Sequence, residues 1–208
     1  MKKIDLKKEL KTLYSASAKE PAMVDVPGMN FLMVDGEGDP NTAKVYTDAI
    51  EALYAVAYTL KFMIKKGETA IDYGVMPLEG LWWTDDMRDF SAGNKDIWKW
   101  TAMIMQPEFV TEDLVQEAFG QVEERKSPAA LSKTRFESFN EGLSAQIMHI
   151  GPYSGEAPTI KKLHEFIHEK GHEFDGAIQK HHEIYLGDPR RSAPEKLKTI
   201  IRQPLKTR

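Results

Sequence analysis

The chain has no cysteine, no apolar run of membrane-spanning length and no strong excess of either charge, and each absence removes a class of protein. Without thiols there is neither a disulfide framework nor a thiolate metal site, a composition that fits a reducing compartment. No apolar stretch approaches the ~20 residues that a spanning helix needs. The start, Met1-Lys2-Lys3-Ile4-Asp5-Leu6-Lys7-Lys8-Glu9, is charged and lacks the apolar core of a signal peptide. A cytoplasmic protein without a membrane partner is expected. The 28 Lys and Arg are interleaved with 32 Asp and Glu for a net charge of -4, which gives little attraction to a polyphosphate, so nucleic acid is not an expected partner.

What is present is enough apolar material for a core, 41% of 208 residues, distributed in a pattern that occurs twice. Thr101-Ala102-Met103-Ile104-Met105-Gln106-Pro107 is echoed by Thr199-Ile200-Ile201-Arg202-Gln203-Pro204, and each closes the same longer series. Both halves read strand, Gly-rich turn, helix, strand, strand. In the first, Met33-Val34-Asp35-Gly36-Glu37-Gly38-Asp39-Pro40 leads into a helix, followed by Leu78-Glu79-Gly80-Leu81-Trp82 and the Gln-Pro strand. In the second, Ile147-Met148-His149-Ile150-Gly151-Pro152-Tyr153-Ser154-Gly155 leads into a helix, followed by His182-Glu183-Ile184-Tyr185-Leu186 and its own Gln-Pro strand. The seam between two such copies is where small molecules usually bind.

Apolar spacing places the elements. Leu6, Leu10 and Leu13 recur at roughly helical spacing within an N-terminal arm over residues 1–20, to be weighed against a solvated tail. A strand over 22–35 is broken at Pro27-Gly28. Val45, Ala49, Ala52, Val56, Leu60 and Met63 mark a helix over 42–66, which Gly67 ends. A second stripe on it, Ile50, Tyr54, Tyr58 and Phe62, reads first as core. Strands are predicted over 70–84 and 96–106, with a polar turn over 85–94, and a helix over 111–126 starts at Thr111. After a linker at Lys126-Ser127-Pro128-Ala129-Ala130 come strands over 132–139 and 143–150, a helix over 157–170, and strands over 180–187 and 196–203.

The residue most loaded with chemistry is Glu183. Strand alternation puts Glu183 and Tyr185 on one face and His182, Ile184 and Leu186 on the other, which reads as apolar. The equivalent strand of the first half offers Glu79, Leu81 and Trp83, and its neighbour Trp98, Trp100 and Ala102. If these faces meet, one or two carboxyls sit among indoles and phenols. There a carboxyl can act as a general acid or base, or can pair with a cation, while the rings hold flat molecules. The bland alternative is ordinary packing around a solvated strand acid.

Three other patterns compete. His164-Glu165-Phe166-Ile167-His168 matches H-E-x-x-H on a predicted helix, with His172 continuing the row. Its helix must turn Leu163, Phe166 and Ile167 inward, leaving the His residues at a wet edge, and Phe174 stands where the longer zinc pattern needs a ligand. A zinc hydrolase is therefore the least favoured reading, and no metal is assigned. The turns at Gly36-Glu37-Gly38 and Gly151 to Gly155 lack phosphate-loop spacing and carry acids, Glu37, Asp39 and Glu156, that repel anions; Tyr153 is left as a candidate pocket wall. His181-His182 reads as strand surface.

The double strand-helix-strand-strand pattern, the Ile150-Gly151-Pro152-Tyr153 turn, and the ending His182-Glu183-Ile184-Tyr185-Leu186 with Asp188-Pro189-Arg190-Arg191 and Pro194-Glu195-Lys196-Leu197 resemble the GyrI-like small-molecule-binding domain. The resemblance covers about residues 20–206. It implies an α+β fold of two SHS2-type (β-α-β-β) modules in pseudo-two-fold arrangement with a ligand cleft between them. An arm over 1–20 would precede one domain over 21–208, with module one about 21–126 and module two about 131–208. It also implies that Glu183 is the buried acid that meets cationic aromatic drugs in transcription-factor relatives, although a DNA-binding domain, and with it a regulatory role, is not expected here. The stretch from Tyr73 through Met76-Pro77-Leu78-Glu79-Gly80-Leu81-Trp82-Trp83 is similar to the stand-alone branch, some members of which hydrolyse cyclopropane-bearing, DNA-alkylating natural products. The expected site therefore has Glu183 and Tyr185 in catalytic roles and Tyr73, Glu79, Trp83, Trp98, Trp100 and Tyr153 around the ligand, with no cofactor. The expected partner is a hydrophobic or cationic aromatic small molecule, to be hydrolysed as in xenobiotic detoxification. The alternative is a non-catalytic module that sequesters drugs or inhibits a partner protein, as the family's namesake does for gyrase.

Overall fold

The computed structural model describes residues 2–90, 94–174, 176 and 180–207. Of the polar turn expected over 85–94, residues 91–93 lie outside the described residues. The chain begins with β1 (Lys2–Ile4) and two single-turn helices, α1 (Leu6–Glu9) and α2 (Lys11–Tyr14). Next come β2 (Ala22–Val26), β3 (Met29–Glu37), α3 (Lys44–Lys66), β4 (Ile71–Tyr73), β5 (Leu78–Trp83), β6 (Lys99–Gln106) and α4 (Glu112–Arg125). The second half holds β7 (Arg135–Phe139), β8 (Gly142–Ile150), α5 (Ala157–Glu169), β9 (His172–Glu173), β10 (His181–Tyr185), β11 (Lys198–Pro204) and β12 (Lys206–Thr207).

An eight-stranded antiparallel sheet in the order β2-β8-β11-β10-β5-β6-β3-β7 unites the two halves. They join where β5 pairs with β10, Gly80 opposite Glu183 and Trp82 opposite His181. The outer strands are exchanged. β2, from the start of the first half, completes the edge of the second beside β8, and β7, from the start of the second, completes the first beside β3. Pro27 explains the break between β2 and β3, since it has no N–H for the ladder.

The register sorts every side chain near the seam onto one of two faces. Trp82, Trp100, Ala102, His181, Glu183, Tyr185, Thr199, Ile201 and Gln203 share the first face, and Glu79, Leu81, Trp83, His182, Ile184 and Arg202 the second. The helices α3 and α5 lie on the first face. α3 is helical because Ala49, Ala52, Leu53, Val56, Ala57, Leu60 and Ile64 form a buried stripe of good helix formers at spacings of three and four. Its end is set at Gly67, whose N–H donates to Met63 O at 2.8 Å. α5 buries Leu163 and Ile167 against Ala145, Ile147 and Ile201, each apolar side chain contributing about 1.5–3 kcal/mol. Because α3 covers β3 and β6 while α5 covers β8, the middle of that face, over β5 and β10, is left open between them.

The N-terminal arm is no solvated tail. β1 pairs in parallel with β4, and Leu6, Leu13 and Tyr14 are buried, the last on the second face of the sheet. α4 starts at Thr111 as its sequence predicts, the hydroxyl accepting from the Leu114 N–H at 3.4 Å. Among the described residues no helix is long and apolar enough to cross a membrane.

Candidate functional site

The gap between α3 and α5 is a cleft of about 2800 Å³. β5 and β10 form its floor, one strand from each half. Tyr46, Ile50 and Tyr54 of α3 wall one side, and Glu156 with Ile160 and His164 the other. The turn that brings in Tyr153 and Glu156 is tied down by His149, whose ring nitrogens lie 3.0 Å from Thr159 Oγ1 and 3.2 Å from Pro152 O. Gly151 bends the chain there at φ +141°, a conformation that only glycine adopts without strain.

At the centre of the floor Glu183 is held from several directions. Tyr185 donates its hydroxyl to Glu183 Oε2 at 2.7 Å, and Trp82 Nε1 in turn donates to the Tyr185 oxygen at 3.0 Å. His181 Nε2 lies 3.1 Å from Glu183 Oε1, and Gln203 Nε2 lies 3.3 Å from His181 Nδ1. An amide N–H can only donate, so the His181 proton stands on Nε2 and points at Glu183. Glu156 completes the set as a second carboxyl hydrogen-bonded to Glu183. Burial alone would raise Glu183, but the hydrogen bonds from His181, Tyr185 and Glu156 outweigh it and hold Glu183 below the usual carboxylate range. Glu156 goes the other way. Burial first, then the charge of Glu183, pushes it up to about 9, so the pair holds one proton at neutral pH. The phenols of Tyr185 and Tyr46 are raised by burial and by Glu183, and for the same reasons Tyr153 is pushed up to about 12, so all three remain protonated donors.

The rings form a continuous path around these carboxyls. Trp100 packs edge-on to Tyr46 with centroids 4.9 Å apart, and Tyr46 meets Trp82 at 5.6 Å. Trp82 meets Trp98 at 5.7 Å, Trp98 stacks on Phe90 at 4.5 Å, and Phe90 reaches His181 at 5.9 Å. Tyr153 closes the opposite side, 5.6 Å from Tyr185. Two glycines make room for the indoles: a Cβ on Gly36 would lie 2.3 Å from the Trp100 ring, and one on Gly80 would lie 2.6 Å from Trp82 Nε1.

Of the residues singled out in the sequence, Glu183, Tyr185, Trp98 and Tyr153 line the cleft. Trp100 lies beneath it, 0% exposed, as support for Tyr46 and not as wall. Tyr73 is buried against Phe109, and Trp83 is on the other face with Lys180 4.8 Å above its ring. Glu79 is also on that other face, because the register sets Gly80, not Glu79, opposite Glu183. The face expected to be apolar holds a buried polar cluster. His182 lies between Glu79 Oε2 at 2.9 Å and Glu141 Oε1 at 2.9 Å; Arg202 donates to Glu141 Oε2, Gln146 and the Leu13 carbonyl; and Tyr14 donates to Glu79 Oε1 at 2.7 Å. His181 and His182, read as strand surface, are therefore both buried and bonded, one on each face.

Trp82, Tyr46, His181 and Glu156 were not anticipated in the site. A one-residue shift between the halves hides Trp82 in the sequence, where Glu156 reads only as a turn acid. The H-E-x-x-H helix turns Leu163 and Ile167 inward and leaves His168 exposed, while His164 reaches the cleft margin. Among the described residues no group of three His, Cys, Asp or Glu side chains is placed to hold a metal ion.

An antiparallel sheet carrying two helices on one face, with an acid-centred aromatic cleft between them, defines a small-molecule-binding protein. Residues 19–206 match the GyrI-like small molecule binding domain, and the chain belongs to that family. Its structure is similar to an uncharacterized conserved protein from Listeria innocua, with a TM-score of 0.90 and 45% identity over 98% of this chain and 100% of that one. It is also similar to a Listeria innocua hydrolase encoded by lin2189, with a TM-score of 0.88 and 44% identity over 99% of this chain and all of that one. The EcmrR C-terminal domain, at 11% identity, 91% and 98% coverage and a TM-score of 0.53, shares the fold alone. No protein with a curated function matches the chain.

Proposed function

We propose that the cleft binds flat, largely apolar molecules and hydrolyses a strained electrophile, such as a cyclopropane fused to a conjugated carbonyl, in a detoxifying role. The observation that carries this reading is the Glu183 carboxyl, held by Tyr185 and His181, at the floor of a cleft walled by Trp82, Trp98, Tyr46 and Tyr153. The rings would hold the flat body of the substrate and place its three-membered ring over the carboxylate. Glu183 would take a proton from a water molecule as that water attacks the ring methylene. Tyr185, whose hydroxyl hydrogen is committed to Glu183, holds the carboxylate in its acceptor orientation. Ring strain supplies much of the driving force, so a positioned base and an excluded solvent suffice. The resemblance to a Listeria protein described as a hydrolase, over the whole of both chains, supports a catalytic role.

The same anion behind aromatic rings also suits a flat cation held without turnover, and this second reading shares every contact with the first. Incubating the purified protein with a cyclopropane-bearing alkylator and following the ring-opened product separates them. Hydrolysis above the buffer rate that is lost in Glu183→Gln supports the enzyme. Tight binding with no product supports sequestration.

A further inference from the structure

We infer that Glu156 is the proton donor of this site, forming with Glu183 a carboxylic acid–carboxylate pair that divides acid and base work between the two halves of one hydrogen bond. The inference deepens the hydrolytic reading and rests on it. Glu156 occupies the N-cap position of α5, where a carboxylate normally accepts from the free helix N–H groups, yet its side chain makes no cap bond. It turns instead into the cleft, 5% exposed, where it meets Glu183 and leaves Oε1 buried without a partner. Two carboxyls can share a hydrogen bond only if one proton lies between them. The surrounding groups put that proton on Glu156. Glu183 has donors from His181 and Tyr185, whereas Glu156 has Thr199 beside it and only the more distant charge of Lys95 in its favour. The remaining titratable groups facing the pair, Tyr46 from α3 and Tyr153 from the turn before α5, are phenols that stay protonated.

The assignment supplies what the base alone does not. When water adds to the ring methylene, the C–O bond forms as the strained C–C bond breaks, and the electron pair of that bond moves through the conjugated system onto the carbonyl oxygen. That oxygen needs a proton. Glu156 and Tyr185 both point a hydrogen at Glu183, and of the two the carboxylic acid is the stronger donor, because burial and the charge of Glu183 raise the Tyr185 phenol well above its ordinary range. Glu156 delivers its proton to the carbonyl oxygen while Glu183 receives one from water. The pair then holds its single proton on the other member and resets when that proton crosses the hydrogen bond between them. The exchange consumes one water and requires no other reactant.

Glu156→Gln keeps the shape and can still donate an N–H to Glu183, but cannot transfer a proton. Its kcat on the cyclopropane-bearing alkylator should fall roughly a hundredfold with KM little changed, the usual reach of general acid catalysis. The wild-type rate should decline as pH rises through about 9, and that alkaline limb should be absent in the variant. Glu156→Asp, which retains an acid, should recover part of the rate and the limb. Independently of any substrate, the infrared spectrum of the wild type at neutral pH should contain a carboxylic-acid C=O band that Glu156→Gln removes. Full kcat in Glu156→Gln, or no such band in the wild type, overturns the assignment. A wild type inert toward the alkylator defeats the hydrolytic reading instead, and the infrared band still decides whether the pair shares a proton.

Discussion

Trp82 donates its indole N–H to the Tyr185 hydroxyl at 3.0 Å, so the floor of the cleft is cross-linked by a bond between side chains of opposite halves. Tyr185 then donates to Glu183, which makes the indole the outermost support of the central acid. Trp82→Phe keeps an aromatic wall and deletes this one donor. A net loss of about 1 kcal/mol, roughly fivefold in affinity, is expected for a flat aromatic cation such as ethidium. Isothermal titration reads it, and unchanged affinity would mean that Glu183 does not depend on the chain of donors.

Trp98 and Trp83 give a paired comparison. Trp98 lines the cleft and stacks on Phe90, whereas Trp83 faces the other side of the sheet beneath Lys180. Removing a stacking ring costs about 1 kcal/mol or somewhat more, so Trp98→Ala should weaken ethidium roughly five- to tenfold. Trp83→Ala should leave the affinity where it is. Equal losses in both would place the binding surface elsewhere.

Gly80 is a specific test of how closely the floor is fitted. An added methyl would meet Trp82 Nε1 at 2.6 Å, and the indole cannot move without losing Tyr185. Gly80→Ala should therefore cost about 1–3 kcal/mol of stability by overpacking and weaken ligand binding in the same variant. Gly74, with open space around its would-be Cβ, is the control, and chemical denaturation together with titration reads both.

The polar cluster on the second face sets a stability profile with pH. Burial opposes a charge on His182, but Glu141 and then Glu79 outweigh it and raise the imidazole to about 9 from an ordinary 6.5. Its contribution is complete below pH 6.5 and disappears as pH rises through about 9. Glu141 moves in the opposite direction: burial would raise it, but His182 and Arg202 hold it down, so its contribution is present above the ordinary carboxylate value and is lost on acidification. The melting temperature should thus be highest between mildly acidic and mildly alkaline pH. His182→Ala, which removes the imidazole between Glu79 and Glu141, should lose about 3–5 kcal/mol and flatten the alkaline limb.

Much of this architecture was legible because local rules govern it. The stripe from Ala49 to Leu60, the Thr111 cap, the Pro27-Gly28 break and the paired Gln-Pro strands each announce their element through periodicity or turn chemistry. Strand alternation alone put Glu183 and Tyr185 on one face. Alternation says nothing about register between distant strands, and a slip of one residue exchanges the faces, which is how Glu79 and Trp83 came to be expected in place of Trp82. Glu156 was hidden for a different reason. Its chemistry comes from a carboxyl that is its neighbour only after β10 and the turn before α5 are brought together, and no spacing in the chain records that approach.

The exchanged outer strands limit how a guest can arrive. Each half gives its leading strand to the edge of the other, yet only Pro27-Gly28 joins β2 to β3 and only Asn140-Glu141 joins β7 to β8, so the sheet curls until its edges approach and the halves cannot part as the covers of a book do. Access to Glu183 must come from above, through the slot between α3 and α5 and its rim of loops. Any breathing that admits a bulky visitor therefore belongs to that rim, and the central acids are never laid bare by a separation of the halves.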